Sequence, residues 1–590
     1  MTQPSPDPQV ALAQAEAEAA DARAEAARAA AEAAEARLRA LQAAAGAPAA
    51  PPAPDAPTGW AAQVAAAYAF DHPLPLGALV VDGEPVPGAQ VALPLGMMNR
   101  HGLVAGATGT GKTKTLQGLA EGLSTAGVPV FLADVKGDLS GLAAPGTPDD
   151  RLSARTQSIG QAWQPTAFPV ELYTLGGLGT GTPIRTTVTD FGPLLLAKVL
   201  GLNETQESSL GLIFHWADVQ GLALLDLKDL QAVIAYLVSD ESKAELTGIG
   251  GLSAATAGVI LREIVGLQAQ GADVFFGEPA FETADLLRQA PDGRGVISAL
   301  ELPAVQDRPA LFSTFLMWLL ADLFHDLPEV GDPEKPRLVF FFDEAHLLFT
   351  GASKDFLTAV TQTVRLIRSK GVGVFFVTQT PKDVPPDVLA QLGNRVQHAL
   401  RAYTPDDATA LRATARTFPT TDYDLEELLT TLATGEAVVT VLSEKGAPTP
   451  VAWTRLRAPQ SAMAPLDPAV AQAAVAASPQ HARYGAALDR ESAYELLTAR
   501  AARAEADAAA SAAADRAREE AQDAAAAAQR EADRRAREVE RLEEKARRDA
   551  ERRGRRTTTA ATSVLTSVLR SAGTQLGREI TRSIFGTRRR

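Results

Sequence analysis

Cysteine is missing altogether from the 590 residues, which excludes disulfides, thiolate nucleophiles and Cys-ligated zinc; it fits a reducing compartment without requiring one. No run of about 18 apolar residues occurs, so no transmembrane helix is expected. The start, Met1-Thr-Gln-Pro-Ser-Pro-Asp-Pro8, has no basic stretch followed by an apolar one, so no secretory leader is expected and the expected location is cytoplasmic. Histidines are scattered, with no metal-ligand spacing, and an Asn-Lys-x-Asp segment that would read guanine is absent. Positive charge is also short. The formal net charge of −15 gives no bulk attraction to nucleic acid or anionic membrane, although a pore lined by a few Lys and Arg would escape that argument.

What is present is uneven. The chain is too long for one hydrophobic core. Its 46% hydrophobic content includes much Ala, gathered at the two ends. Residues 1–45 read as an Ala-rich helix or weak coiled coil, with Leu only at Leu12, Leu38 and Leu41 and therefore no regular seam of large side chains. The linker 46–59 carries five prolines. Residues 60–96 read as a small β-containing segment, because short apolar pairs alternate with Gly and Pro.

From Met97 strand-like and helix-like patterns alternate, as in a mainly parallel sheet covered on both faces. A first part of this α/β core spans 97–189 and a second spans 294–457. Between them, 190–293 carries helical spacing, including a capping-box pattern at Asn203 and Gln206 followed by Leu210, Ile213, Phe214 and Ala217. Residues 458–556 read as a long charged helix or coiled coil. The last stretch, 557–590, reads as a basic amphipathic helix, either packed on the protein itself or laid on a membrane surface.

Two motifs carry chemistry. Gly106-Ala107-Thr108-Gly109-Thr110-Gly111-Lys112-Thr113 matches G-x-x-x-x-G-K-[ST] in full. Its glycines let backbone N–H groups turn toward phosphate oxygens, and the following helix adds the positive end of its dipole. Lys112 would reach the β- and γ-phosphates, and the Thr113 hydroxyl would ligate Mg²⁺. Phe340-Phe-Phe-Asp343-Glu344 is the partner: a buried strand ending in carboxylates, Asp343 for the Mg²⁺ shell and Glu344 to polarise the attacking water. ATP and Mg²⁺ are the expected ligands.

Fainter signals surround them. Gln379 closes the following strand, where its amide would sense the γ-phosphate. Arg365, Arg368, Arg395 and Arg401 are candidates for a residue reaching a neighbouring subunit's nucleotide, with Arg368 first; a surface ion pair is the plainer role for each. Asp134-Val-Lys136-Gly-Asp138 follows the second strand, either to touch Mg²⁺-bound water or a neighbour, or merely to turn at Gly137.

The text around both motifs resembles the bacterial HerA-like ATPases, in particular the subfamily named for the HerA C-terminal domain. The resemblance rests on Met98-Asn-Arg-His101-Gly-Leu-Val-Ala-Gly106 running into the P-loop, on Phe131-Leu-Ala-Asp134-Val-Lys-Gly-Asp138, on Asp343-Glu-Ala-His346, and on Val377-Thr-Gln379-Thr-Pro. Pro183-Ile-Arg185 and Asn203-Glu-Thr-Gln206 look like that subfamily's helical insertion. The resemblance implies a RecA-like P-loop fold of the HerA/FtsK group, homo-hexameric rings, and ATP-driven translocation on double-stranded DNA. The small segment at 60–96 does not match the N-terminal β-barrel with which HerA helicases dock a nuclease, which counts against a nuclease partner and against helicase activity. Protein partners of the terminal helices are the competing expectation, with an ATPase that remodels them.

Overall fold

The structure, a computed structural model, describes residues 56–239, 250–306, 308–349 and 354–553. The expected N-terminal helix, most of the Pro-rich linker and the basic C-terminal helix lie outside these residues. The chain divides into two units, one ending at Leu496 and the other beginning at Leu497.

The first unit is organised by one twelve-stranded sheet. Its strands are β1 (Pro73–Val81), β2 (Glu84–Pro94), β3 (Gly102–Ala105), β4 (Val130–Asp134), β5 (Val170–Leu175), β6 (Thr182–Ile184), β7 (Ile297–Glu301), β8 (Leu338–Phe342), β9 (Val372–Thr378), β10 (Asn394–Gln397), β11 (Glu436–Thr440) and β12 (Ala452–Leu456). Their spatial order is β2-β1-β12-β11-β10-β3-β9-β8-β4-β7-β5-β6. From β10 to β6 all neighbours are parallel; from β10 back to β2 they are antiparallel. The fold is α/β with a RecA-like arrangement, in which the P-loop strand β3 lies one strand away from the carboxylate strand β8.

The central strands are apolar on both sides because both faces are covered. Alternate residues of β8 point opposite ways. Phe341 packs on Phe375 of β9 at 5.2 Å between ring centroids, in the cluster that includes Leu116, Leu119 and Leu123 of the P-loop helix Lys112–Thr125. Phe340 packs on Phe131 at 5.1 Å, and Phe131 stacks on Phe315 of the buried helix Pro309–Asp326. Each such buried aromatic contributes roughly 1.5–3 kcal/mol.

Two sequence expectations change. The hairpin β1–β2, read as a segment standing before the core, extends the main sheet by pairing with β12. Pro183 and Ile184, read with the helical insertion, lie in β6 and pair with β5. A three-residue strand bounded by Gly181 and Arg185 leaves too short an alternation to read from sequence. Further on, the described elements between Val188 and Ala269 are helices. There Asn203 caps Glu204–Val219, its Oδ1 accepting from Gln206 N at 3.1 Å while Gln206 Oε1 accepts from Asn203 N at 2.9 Å.

After β12 the chain runs as a strap, 459–467, then as the short helices Pro468–Ala477 and Pro479–Tyr484. The helix Ala493–Arg553 follows. Its 61 residues correspond to about 90 Å of length. In the second unit its described side chains are almost all exposed, with i,i+4 pairs such as Glu531–Arg535 and Glu544–Arg548 on its surface.

Candidate nucleotide site

β3 ends at Ala105 and the P-loop turns out of the sheet between its two neighbours. Gly106 N donates to Thr378 O of β9 at 3.2 Å, and Ala107 N donates to Ala399 O, just past β10, at 2.8 Å. Only glycine fits at 106, since a Cβ there would sit 2.4 Å from the Cβ of His398. Gly111 takes φ +108 as the N-cap of the P-loop helix, a left-handed backbone that strains any side chain. Lys112 Nζ donates to Gly106 O at 2.6 Å and Ala107 O at 3.1 Å, so the ammonium lies across the mouth of the loop. Burial lowers its pKa, against the opposing charge of Glu344.

His398 supports the loop from below. It is fully buried and shares a 2.9 Å hydrogen bond between Nε2 and Thr115 Oγ1; burial, followed by the charge of Lys112, lowers its pKa to about 3. The ring is therefore neutral at any ordinary pH and serves as packing plus one hydrogen bond.

The carboxylates arrive from β8. Asp343 and Glu344 are both buried. Asp343 Oδ1 accepts from Glu344 N at 2.9 Å, while Asp343 Oδ2 is buried with no hydrogen-bond partner. Burial raises the Asp343 carboxyl; Lys136 opposes that and the Glu344 charge adds to it, leaving it at about 6. Glu344 has φ +46, a left-handed backbone that costs a non-glycine residue roughly 1–2 kcal/mol. It is held there by an ion pair: Lys136 Nζ lies 2.5 Å from Glu344 Oε1. On the other side His346 Nδ1 lies 3.3 Å from Glu344 Oε2. Burial pushes the Glu344 carboxyl upward, but the Lys136 bond and charge outweigh it and the net shift is downward.

Lys136 owes its position to Asp134. That side chain is buried at the end of β4 and accepts from Lys136 N at 3.1 Å, Gly137 N at 2.8 Å and Leu139 N at 2.8 Å. The Asp134–Asp138 segment is thus a turn built on Asp134 and Gly137, and the Asp134 oxygens are spent on the backbone. Of the two readings of this segment, the turn at Gly137 is the one the structure shows, and Lys136 is its residue that meets Glu344.

Gln379 follows β9 and shares a cavity of about 290 Å³ with Ala107 and Thr108 of the P-loop. Its strand end is fixed by Asp383, whose Oδ2 accepts from Thr378 Oγ1 at 2.8 Å and Thr380 N at 3.0 Å. Arg368 is elsewhere. It lies in the turn Arg368–Lys370 ahead of β9, at the opposite end of that strand from Gln379, a backbone separation of roughly 20 Å. Its guanidinium is partly exposed and 3.9 Å from Asp332. Of the other arginine candidates, Arg365 borders the same surface hollow as Arg368 and Asp332, Arg395 donates to Thr417 Oγ1, and Arg401, which donates to Tyr403 Oη, lines the cavity that Gln379 shares with Ala107 and Thr108.

A divalent cation fits these residues. Asp343 Oδ2 is an unpartnered buried oxygen, the kind of hard ligand Mg²⁺ takes along with a hydroxyl and substrate phosphates rather than a full protein cage. Among the described residues no group of three or more His, Asp or Glu forms such a cage. Sequence reasoning missed Arg155, for which it offered no signal. Its Nη2 donates to Gly435 O at 2.7 Å and Leu456 O at 3.0 Å, tying the ends of β11 and β12 together beside the P-loop.

Residues 80–590 match the family described as helicase HerA-like C-terminal. The chain belongs to that family. This HerA-like chain is also 31% identical over 150 residues to the probable helicase MJECL08 of Methanocaldococcus jannaschii, a match covering 24% of the chain and 28% of that protein. Among solved structures it is similar to the plasmid coupling protein TrwB in complex with ADP and Mg²⁺, at 16% identity and TM-score 0.45, over 67% of this chain and 96% of that one. VirB4 of Thermoanaerobacter pseudethanolicus is similar at 14% identity and TM-score 0.39, over 66% and 97%. No described helix is long and apolar enough to cross a membrane.

Proposed function

We propose that the chain hydrolyses ATP at Gly106–Thr113 and uses the cycle to drive a ring of identical subunits along double-stranded DNA. The observation that carries the hydrolytic reading is the juxtaposition of the P-loop with a Glu344 held ionised by Lys136, one strand away in a parallel sheet. In this reading the backbone of Gly106–Thr113 cradles the phosphates, and Lys112 leaves the carbonyls of Gly106 and Ala107 to meet the β- and γ-oxygens. Thr113 and Asp343 would hold Mg²⁺, which supplies charge neutralisation at those oxygens when bound. Glu344 orients the attacking water and takes its proton. Gln379 lies beside the P-loop tip to read loss of the γ-phosphate. Lys136 acts on Glu344 and is a positioning residue.

Arg368 lies too far along β9 to serve its own chain's phosphates. Its partial exposure and its loose 3.9 Å contact with Asp332 suit a side chain offered to the next subunit of a homo-hexamer. ATP turnover lost in Lys112→Ala, stimulated several-fold by duplex DNA and falling steeply with salt, together with a hexamer mass in solution, is the expected result. Turnover that ignores duplex DNA would overturn the DNA track. It would favour the second reading, an ATPase that remodels protein partners, for which the exposed helix Ala493–Arg553 and the net charge of −15 speak.

A further inference from the structure

The cavity of about 290 Å³ that Gln379 shares with the P-loop tip adjoins the end of the cradle where a terminal phosphate would lie. Lys112 marks that end. Its ammonium, the group that meets the β- and γ-oxygens in a P-loop, rests on Gly106 O and Ala107 O, and Ala107 with Thr108 forms one wall of the cavity. Gln379 and Thr380 form another wall, and Lys382 and Arg401 line the rest with Asp407 and the apolar Leu400 and Leu411. Two cationic side chains therefore border the hollow at the P-loop tip, in a chain of net charge −15.

The two cations are differently engaged. Lys382 Nζ lies 4.0 Å from Asp407 Oδ1, and Asp407 is itself held at the start of the helix Pro405–Ala415, its Oδ2 accepting from Thr404 N at 3.1 Å. Arg401 pairs with no carboxylate among the described residues. Its Nη1 donates to Tyr403 Oη at 3.4 Å, a long bond to a side chain that is 81% exposed. A contact of this kind is worth little in water, so the guanidinium leaves it at small cost. The backbone beneath is fixed. Ala399 O accepts from Ala107 N at 2.8 Å, Leu400 N donates to Leu429 O at 2.8 Å, and Leu400 is buried in one apolar cluster with Leu411, Leu428 and Leu429. Arg401 is thus a long, lightly held side chain on a rigid base beside the P-loop tip.

We propose that Arg401 is a catalytic residue acting in cis: it contacts the γ-phosphate bound by its own chain and stabilises the charge of the transition state. The proposal rests on ATP hydrolysis at Gly106–Thr113. In that step a water oxygen bonds to the γ-phosphorus as the bond to the β–γ bridging oxygen breaks. The water proton passes to Glu344, and the electrons of the broken bond leave with ADP. Negative charge grows on the bridging oxygen and is spread over the three equatorial oxygens. Lys112 meets that charge from the loop, whereas Lys136 is committed to Glu344. The planar fork of a guanidinium matches phosphate oxygens, and a donor aimed where charge develops lowers the barrier without tightening the ground state. Arg368, at the far end of β9, would serve a neighbouring chain, so mixing subunits separates the two roles.

Steady-state turnover, nucleotide binding and aluminium-fluoride trapping of the full chain with Mg²⁺ test it. Arg401→Ala is expected to lower kcat about tenfold or more, with ATP affinity within about threefold and Tm unchanged, and Arg401→Lys to recover part of the loss. Wild-type protein is expected to retain ADP in the presence of aluminium fluoride, a stand-in for the transferring phosphoryl group. Arg401→Ala is expected to release it while binding ADP alone as the wild type does. Tyr403→Phe removes the hydrogen bond that holds Arg401 and is expected to keep turnover within about twofold. Mixed with wild-type subunits, Arg401→Ala should lower turnover only in proportion to its share. Turnover of Arg401→Ala within about twofold of wild type, or a loss confined to KM, would overturn the proposal. A loss in Tyr403→Phe equal to that in Arg401→Ala would reduce Arg401 to a structural contact. Poisoning beyond proportion would place the side chain in the neighbour's site and end the cis assignment. Wild-type protein that does not turn over ATP would overturn the hydrolytic reading itself, and this proposal with it.

Discussion

Glu344 is where residue chemistry and backbone geometry meet. Its left-handed φ of +46 is retained because Asp343 Oδ1 accepts its N–H and Lys136 Nζ pairs with its carboxylate; strain of this kind persists where neighbours over-determine the conformation. If Lys136 orients Glu344, then Lys136→Met should lower kcat about tenfold or more with little change in KM, and Lys136→Arg should recover part of it. Loss confined to KM would show that Lys136 binds substrate instead. A second residue effect concerns pH. Glu301, at the end of β7, has its carboxyl raised to about 8 by burial and by the nearby Asp134 and Asp138 charges. The folded protein therefore keeps a proton there that the unfolded chain releases above the usual carboxylate range. Stability from this group is complete below about pH 4.5 and is lost as pH rises through about 8. Glu301→Gln should raise Tm by a few degrees at pH 8 and by much less at pH 5, measured by scanning calorimetry. An equal gain at both pH values would contradict the assignment.

At the scale of elements, legibility followed pattern length. The P-loop, β8 with its run Leu338–Phe342, the helix Glu204–Val219 with its Asn203 cap and the helix Ala493–Arg553 were all readable, because each repeats one period or one motif over enough residues. The strands β5 and β6 were not. Val170–Leu175 alternates weakly, and Thr182–Ile184 is only three residues long, so pairing with β7 and with each other decides them. The strap after β12 was folded into a reading of one long charged helix, since its contacts to Glu121 span about 340 positions of sequence and leave no local trace. Separations of 280 and 301 positions likewise hid Arg155. Where an element was legible, its energetics follow: Asn203→Ala removes the half of the capping box that Asn203 Oδ1 accepts from Gln206 N, at a cost of about 1 kcal/mol. Hydrogen exchange should accelerate in the first turn of Glu204–Val219. Unchanged protection there would mean that packing of Leu210 and Ile213, not the cap, holds that end.

The whole molecule combines a sheet that brings phosphate cradle, carboxylates and the Lys136 turn to the same strand ends with a 61-residue helix carrying alternating charges. Sequence and structure agree on the first feature because the C-terminal ends of parallel strands gather their loops at one edge, whatever the loops contain. They leave the second to assembly, since an exposed helix acquires its role from what it meets. In a ring of copies, Arg368→Ala should lower kcat about a hundredfold or more with ATP affinity within threefold, and mixing it with wild-type subunits should poison turnover more than in proportion. Turnover that simply averages would place Arg368 outside the reaction.

The central claim is hydrolysis by Glu344 at the P-loop. It is tested most directly by steady-state ATP turnover of the full chain with Mg²⁺, wild type beside Glu344→Gln, with ATP binding measured on both. The account predicts that Glu344→Gln binds ATP as the wild-type protein does and turns it over at least about a hundredfold more slowly. Turnover within a few-fold of wild type in a variant that still binds ATP would contradict it.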